Sequence, residues 1–247
     1  MICAEWIVEK GALKGLNEKG TLDIEGMLLT VDLGGYVERK LFTLNTGHAI
    51  TAYLGFLDGY STIHETTQHE EILTVVRGAM QESGAALMMK HPMFSAEEHV
   101  KYILKIEERF KNSYIRDDVK RVGRNPLRKL GKGDRLLGPT YMALGYGLPV
   151  DNLLRGIAAA FLFENEEDEE AVALQKLMGD PGMERTLVEI TGFQEGSWQY
   201  AKIMEAYCEL DERRKERLDA EKNNCESPIA GYPAWIPLIS WLLLSPG

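Results

Sequence analysis

Cysteine is scarce in this sequence: Cys3, Cys208 and Cys225 are the whole complement. They lie far apart, form no CxxC and pair with no histidine at zinc-finger spacing. Neither a disulfide framework nor a structural metal is supported. Positive charge is also short. Lys and Arg number 28 against 38 Asp and Glu, a formal net charge of −10, which removes any general attraction to nucleic acid or anionic membrane. Phosphate loops are missing. No GxxxxGK occurs, and the nearest approach to a GxGxxG, Gly145-Tyr146-Gly147, runs into Leu148-Pro149 with no third glycine and no preceding strand. A continuous apolar span is missing too. Residues 229–247 are apolar, but Pro233 and Pro237 interrupt them and Pro228 and Pro246 flank or end them, and each interior proline removes a helix hydrogen bond. That stretch is expected to be a tail docked on the protein surface. The opening residues carry Glu5 and Glu9 and no long apolar core, so they do not read as a secretory signal. The cysteine usage suits a reducing cytoplasm.

What the sequence does hold is mostly helix. Strand signals are confined to residues 1–35, where EWIVE and MLLTV are short and rich in bulky or β-branched residues. A helical domain is expected over 36–222 and the apolar, proline-rich tail over 223–247, giving a mainly α fold with a small β element at its start. Residues 36 to about 57 form the first long helix. In HEEILTVVRGAMQESGAALMMKH, Ile72, Val75, Val76, Ala79 and Met80 recur at helical spacing, and His91-Pro92 ends the element. SAEEHVKYILKIEERF opens with Ser95 and Glu98 in capping-box spacing, and Val100, Ile103, Leu104 and Phe110 are expected to face the core. DNLLRGIAAAFLF is an apolar helix with Asp151 or Asn152 as its cap, and the acidic run ENEEDEE after it reads as solvated surface. MERTLVEITG and YAKIMEAYCELDERRKERLDAEK are two further helices. His64, His69, His91 and His99 are expected at the surface. The first two are five apart, a poor spacing for joint metal ligation on one helix face.

Two polar constellations stand out. The first is Lys40, Asn45 and His48, set among Leu, Phe and Ala in ERKLFTLNTGHA. On an ideal α-helix Asn45 falls roughly 140° from Lys40, while Asn45 and His48 are one turn apart. A lysine stem bent along the helix can bring its amine near the other two. A proton acceptor, an amide that fixes an oxygen and a further hydrogen-bonding group suit alcohol and carbonyl chemistry. The plainer reading is that Asn and His are satisfied by neighbouring backbone or water. The second constellation is RDDVKRVGRNPLRKLGKGDRL, which gathers Arg116, Lys120, Arg121, Arg124, Arg128, Lys129, Lys132 and Arg135. Gly123 and Pro126 break it into a turn-rich corner. Such a corner in an acidic protein fits a small phosphate or carboxylate; the alternative is a surface neutralised by Asp117, Asp118 and Asp134.

YVERKLFTLNTGHAITAYLG, with RDDVKRVGRNPLRKL downstream, resembles the C-terminal helical domain of the polyol-specific long-chain dehydrogenases. K-x4-N-x2-H is that family's catalytic signature, filled here by Lys40, Asn45 and His48. R-V-G-R-x-P-x-R-K-L, filled by residues 121–130, resembles the sugar-phosphate branch, the mannitol-1-phosphate 5-dehydrogenases. EWIVEK, GAMQESG, GDRL, YGLP and GIAAA extend the similarity over roughly residues 5–195. The resemblance implies a multi-helical domain like the C-terminal domain of 6-phosphogluconate dehydrogenase. It also implies interconversion of D-mannitol 1-phosphate and D-fructose 6-phosphate with NAD(H), and no catalytic metal. Lys40 is then the general base, Asn45 holds the reacting oxygen and His48 positions a substrate hydroxyl. Arg121, Arg124, Arg128 and Lys129 are expected to bind the substrate phosphate. The family's NAD-binding Rossmann domain has no counterpart in these residues, so a separate NAD-binding domain is an expected partner and the chain alone is expected to be inactive. Two other assignments stay open. One is another polyol or uronate enzyme, such as a mannitol 2-dehydrogenase or a fructuronate reductase; the other is a non-catalytic helical interaction module.

Overall fold

The computed structural model describes residues 6–12 and 24–226. Two short strands, β1 (Trp6–Glu9) and β2 (Met27–Thr30), pair in parallel with Trp6 opposite Met27 and Glu9 opposite Thr30. Asp32 then turns the chain into α1 (Leu33–Arg39), its carboxylate accepting the Gly35 N–H at 2.8 Å as a helix N-cap does. The helix continues through a π-helical turn (Lys40–Asn45) into α2 (Thr46–Leu57). There follow α3 (Ile63–Thr66), α4 (Glu70–Lys90), α5 (Ala96–Phe110), α6 (Val119–Gly123), α7 (Pro126–Lys129) and α8 (Leu137–Gly145). The chain closes with α9 (Asp151–Phe161), α10 (Glu169–Leu177), α11 (Met183–Thr191) and the long α12 (Trp198–Glu226). The fold is mainly α with a small N-terminal β element. Cys3 and residues 227–247, most of the expected tail, lie outside the described residues.

The core sits where α2, α4 and α9 pack on one another, with α12 against α9. α9 is apolar on nearly every side because it is covered on nearly every side: Leu153, Leu154 and Ile157 through Phe161 are all buried. Each such Leu, Ile or Phe contributes roughly 1.5–3 kcal/mol by leaving water. The α2 face adds Ile50, Tyr53, Leu54 and Leu57. Gly47 lets α2 approach α4 closely, since a Cβ there would stand 2.7 Å from the Met80 sulfur. The buried Tyr53 hydroxyl donates to the Gly123 carbonyl at 3.0 Å and so ties α2 to α6.

Several expectations are corrected by this packing. Val100 and Leu104 point outward, each 52 % exposed, and α5 buries His99, Ile103, Ile106, Glu107 and Phe110 instead. His99 is therefore a core residue, its Nε2 3.4 Å from the Met80 carbonyl. His91 is not a free surface group either: Nε2 lies 2.6 Å from Glu38 and Nδ1 3.3 Å from Asp32, which clips the end of α4 to α1. α9 begins at Asp151, so neither Asp151 nor Asn152 is its cap. The cap comes from α4, where the buried Glu82 carboxylate accepts the backbone N–H of Asn152 and of Leu153, both at 2.9 Å. Within the acidic run, Asp168 is buried, accepting the Asn125 N–H at 2.7 Å.

Candidate active site

The π turn decides how the first constellation is displayed. In a turn closed by i→i+5 bonds, residues five apart stand nearly above one another, as residues four apart do in an α-turn. Lys40 and Asn45 bound this turn, so the step of five that separates them on an α-helix brings them toward one face here. His48 follows Asn45 by three residues in α2 and extends the same face. The irregular turn is held from behind. Phe42 and Thr43 are buried beneath it, and the Thr46 hydroxyl donates to the Arg135 carbonyl at 2.6 Å. Lys40 is exposed and Asn45 half-buried, and neither side chain makes a hydrogen bond among the described residues. Both remain available to a ligand.

His48 is fixed more firmly. Its ring stacks on Phe110 at the end of α5, centroids 5.0 Å apart and planes 20° apart. Its Nε2 is buried and lies 3.1 Å from Asp117 Oδ2 without forming a hydrogen bond among the described residues. Burial, opposed by the charge of Asp117 and aided by Arg109 and Arg121, lowers the imidazole to about 4. His48 is therefore neutral at pH 7 and able to accept as well as donate.

The second constellation divides. Asp118 caps α6 by accepting the Arg121 N–H at 2.8 Å, and Asn125, in the left-handed region at φ 58°, turns the chain into α7. Arg121, Arg124 and Arg128 are exposed around this corner. Lys129 is not: it is 2 % exposed, and its amine donates inward to the carbonyls of Val122, at 2.5 Å, and Arg124. Burial, with Arg135 and Arg128 nearby, pushes that amine down to about 7. Its place is inside the corner, holding the loop, rather than on the surface with the arginines. Lys120, Arg121 and Arg124 line a cleft of about 680 Å³ together with Glu167, Glu169 and Glu170.

Asp117 joins the two constellations. One carboxylate oxygen pairs with Arg121, one helical turn on, and the other faces His48. The i,i+4 pairing with Arg121 is readable from sequence spacing. The approach to His48 is not, because nothing in local pattern links residues so far apart along the chain. Phe110 was likewise legible only as a core residue.

The sequence profile described as mannitol dehydrogenase C-terminal domain matches residues 32–214. Among solved structures, a Pseudomonas fluorescens mannitol 2-dehydrogenase in ternary complex with NAD and D-mannitol is similar at 22 % identity and a TM-score of 0.64, over 81 % of this chain and 43 % of that one. A D-sorbitol dehydrogenase in substrate-free form is similar at 16 % identity and a TM-score of 0.50, over 81 % of this chain and 41 % of that one. The chain thus spans less than half the length of these two proteins.

Proposed function

Because the chain belongs to the mannitol dehydrogenase C-terminal domain family, we propose that it supplies the substrate site and catalytic base of an NAD-dependent polyol dehydrogenase. Its proposed substrates are D-mannitol 1-phosphate and D-fructose 6-phosphate. The observation that carries this reading is the π turn, which supports Lys40, Asn45 and His48 acting together on one substrate. Lys40 takes the proton of the reacting hydroxyl, and its exposure calls for a docked partner or substrate to cover it. The Asn45 amide donates to the same oxygen as negative charge builds there. The neutral His48 holds a neighbouring hydroxyl. Arg121, Arg124 and Arg128 receive the phosphate, a match of planar donors to oxyanion, while Lys129 shapes the corner from within.

The turn from β2 into α1 does not fit the pyrophosphate of NAD. The strand-to-helix turn from β2 into α1 is the place where a pyrophosphate would lie in a dinucleotide fold. Here the Asp32 carboxylate occupies the helix N-terminus, and a Cβ on Gly35 would strike Met93, so the glycine is packed against its own chain. The cofactor is accordingly proposed to be held by a separate NAD-binding domain. No described helix is long and apolar enough to cross a membrane, and a cytoplasmic setting belongs to the same proposal.

A second reading is an uncharged polyol or a hexuronate as substrate. Two of the expected phosphate ligands are already engaged, Arg121 by Asp117 and Lys129 by backbone carbonyls, and the similar bacterial structure holds D-mannitol. The test is a substrate panel run on this chain joined to an NAD-binding domain. Preference for fructose 6-phosphate over fructose and fructuronate is expected; equal use of fructose, or preference for the uronate, overturns the phosphate assignment.

A further inference from the structure

Asp117 lies in the irregular segment between α5 and α6, and its backbone is pinned there. Its carbonyl accepts the Ile63 N–H at 2.9 Å, its own N–H donates to the Ile115 carbonyl at 3.0 Å, and Asp118 bridges to Thr62. The side chain is only 18 % exposed and faces two groups, Arg121 through one oxygen and His48 through the other. The His48 ring cannot turn freely, because Phe110 is stacked on its face. Its Nε2 is sealed from solvent, and the oxygen 3.1 Å away belongs to an ionised carboxylate, which can only accept. A lone pair on Nε2 would face a lone pair on oxygen, so the proton of the neutral ring belongs on Nε2. The His48 side chain keeps 20 % exposure while Nε2 is buried, which leaves Nδ1 as the nitrogen to accept from a ligand.

We propose that Asp117 is a positioning residue of this site: it fixes His48 as the Nε2–H tautomer, so that Nδ1 accepts the hydrogen of a substrate hydroxyl, and it tethers Arg121 at the same time. The inference rests on the reading of His48 as a substrate-positioning group. A 3.1 Å contact that falls short of a hydrogen bond is of the kind that tightens when a substrate fills a site. The consequence for recognition is that the histidine and the basic corner are set by one carboxylate, so a change at Asp117 reaches both ends of the substrate.

The test is nitrogen-15 NMR of the full chain labelled at histidine, at pH 7, with the His48 resonances identified by loss in His48→Gln. The expected result is a protonated-type Nε2 bearing a slowly exchanging proton and an acceptor-type Nδ1. Asp117→Ala speeds exchange of that proton by about tenfold or more, because loss of the charged acceptor beside it opens Nε2 to water, whereas Arg121→Gln leaves it in place. If Asp117→Ala does not fold, Asp117→Asn gives the reading, with the proton moved upfield by a weaker, uncharged acceptor. An acceptor-type Nε2 in the native chain, or an Nε2 proton unchanged by the Asp117 substitutions, overturns the proposal. The spectrum reads this chain whatever the substrate, so failure of the polyol assignment in turnover assays and failure of the Asp117 assignment are separate outcomes.

Discussion

His48 is a neutral imidazole held between an aromatic ring and a carboxylate, and its proton affinity follows from that placement. Burial outweighs the pull of Asp117 and brings it to about 4 from the ordinary 6.5. An unfolded chain therefore binds a proton that the folded chain refuses between those two values. The stability contributed by this site is whole above pH 6.5 and is lost as pH falls toward 4, by on the order of 2–3 kcal/mol. Urea unfolding at pH 7 and pH 5 should show a larger loss in the native chain than in His48→Gln; equal losses would contradict this account. Lys129 is the second residue whose surroundings decide its role. Its amine serves the carbonyls of Val122 and Arg124, so Lys129→Met leaves buried acceptors unsatisfied. A cost of about 2–4 kcal/mol is expected, read as a lower urea midpoint at unchanged slope, and a change under about 0.5 kcal/mol would show that the amine does not hold the corner.

Among the elements, the helices were legible where their signals are local. Ser95 and Glu98 form the capping box their spacing indicates, the Ser95 hydroxyl accepting the Glu98 N–H at 3.2 Å. Gly192, in the left-handed region, ends α11 where MERTLVEITG indicates. The start of α9 was not legible, because its capping group is Glu82 on another helix. Removing that group tests the arrangement: Glu82→Ala should cost about 1–3 kcal/mol, since the N–H groups of Asn152 and Leu153 lose their acceptor. Retention of native stability in chemical denaturation would refute the long-range cap. The outward turn of Val100 and Leu104 was also hidden, because α5 offers two apolar stripes and only tertiary packing selects the one with Ile103, Ile106 and Phe110. The π turn is the least legible element of all. Its residues have ordinary helical composition, and the change of register is sustained by distant partners such as the Arg135 carbonyl.

For the molecule as a whole, the mainly α class and the small β start could be read from periodicity, because a core built on α2, α4 and α9 imposes helical spacing on each. The candidate site could be named by residue but not assembled. The π turn from Lys40 to Asn45 changes the register that an α-helix would give these residues, and the tie from His48 to Arg121 runs through Asp117. Lys40 is exposed and the turn from β2 into α1 is filled by Asp32, which is why the proposed catalysis is by the chain acting with an NAD-binding domain. The measurement that tests this most directly is NADH oxidation with fructose 6-phosphate by the chain joined to such a domain, beside Lys40→Ala of equal fold and thermal midpoint. Turnover reduced about 10²–10⁴-fold in Lys40→Ala, as loss of a general base entails, is the result the account predicts. Turnover undiminished by the substitution, or none with any ketose in a folded and NADH-binding protein, would contradict it.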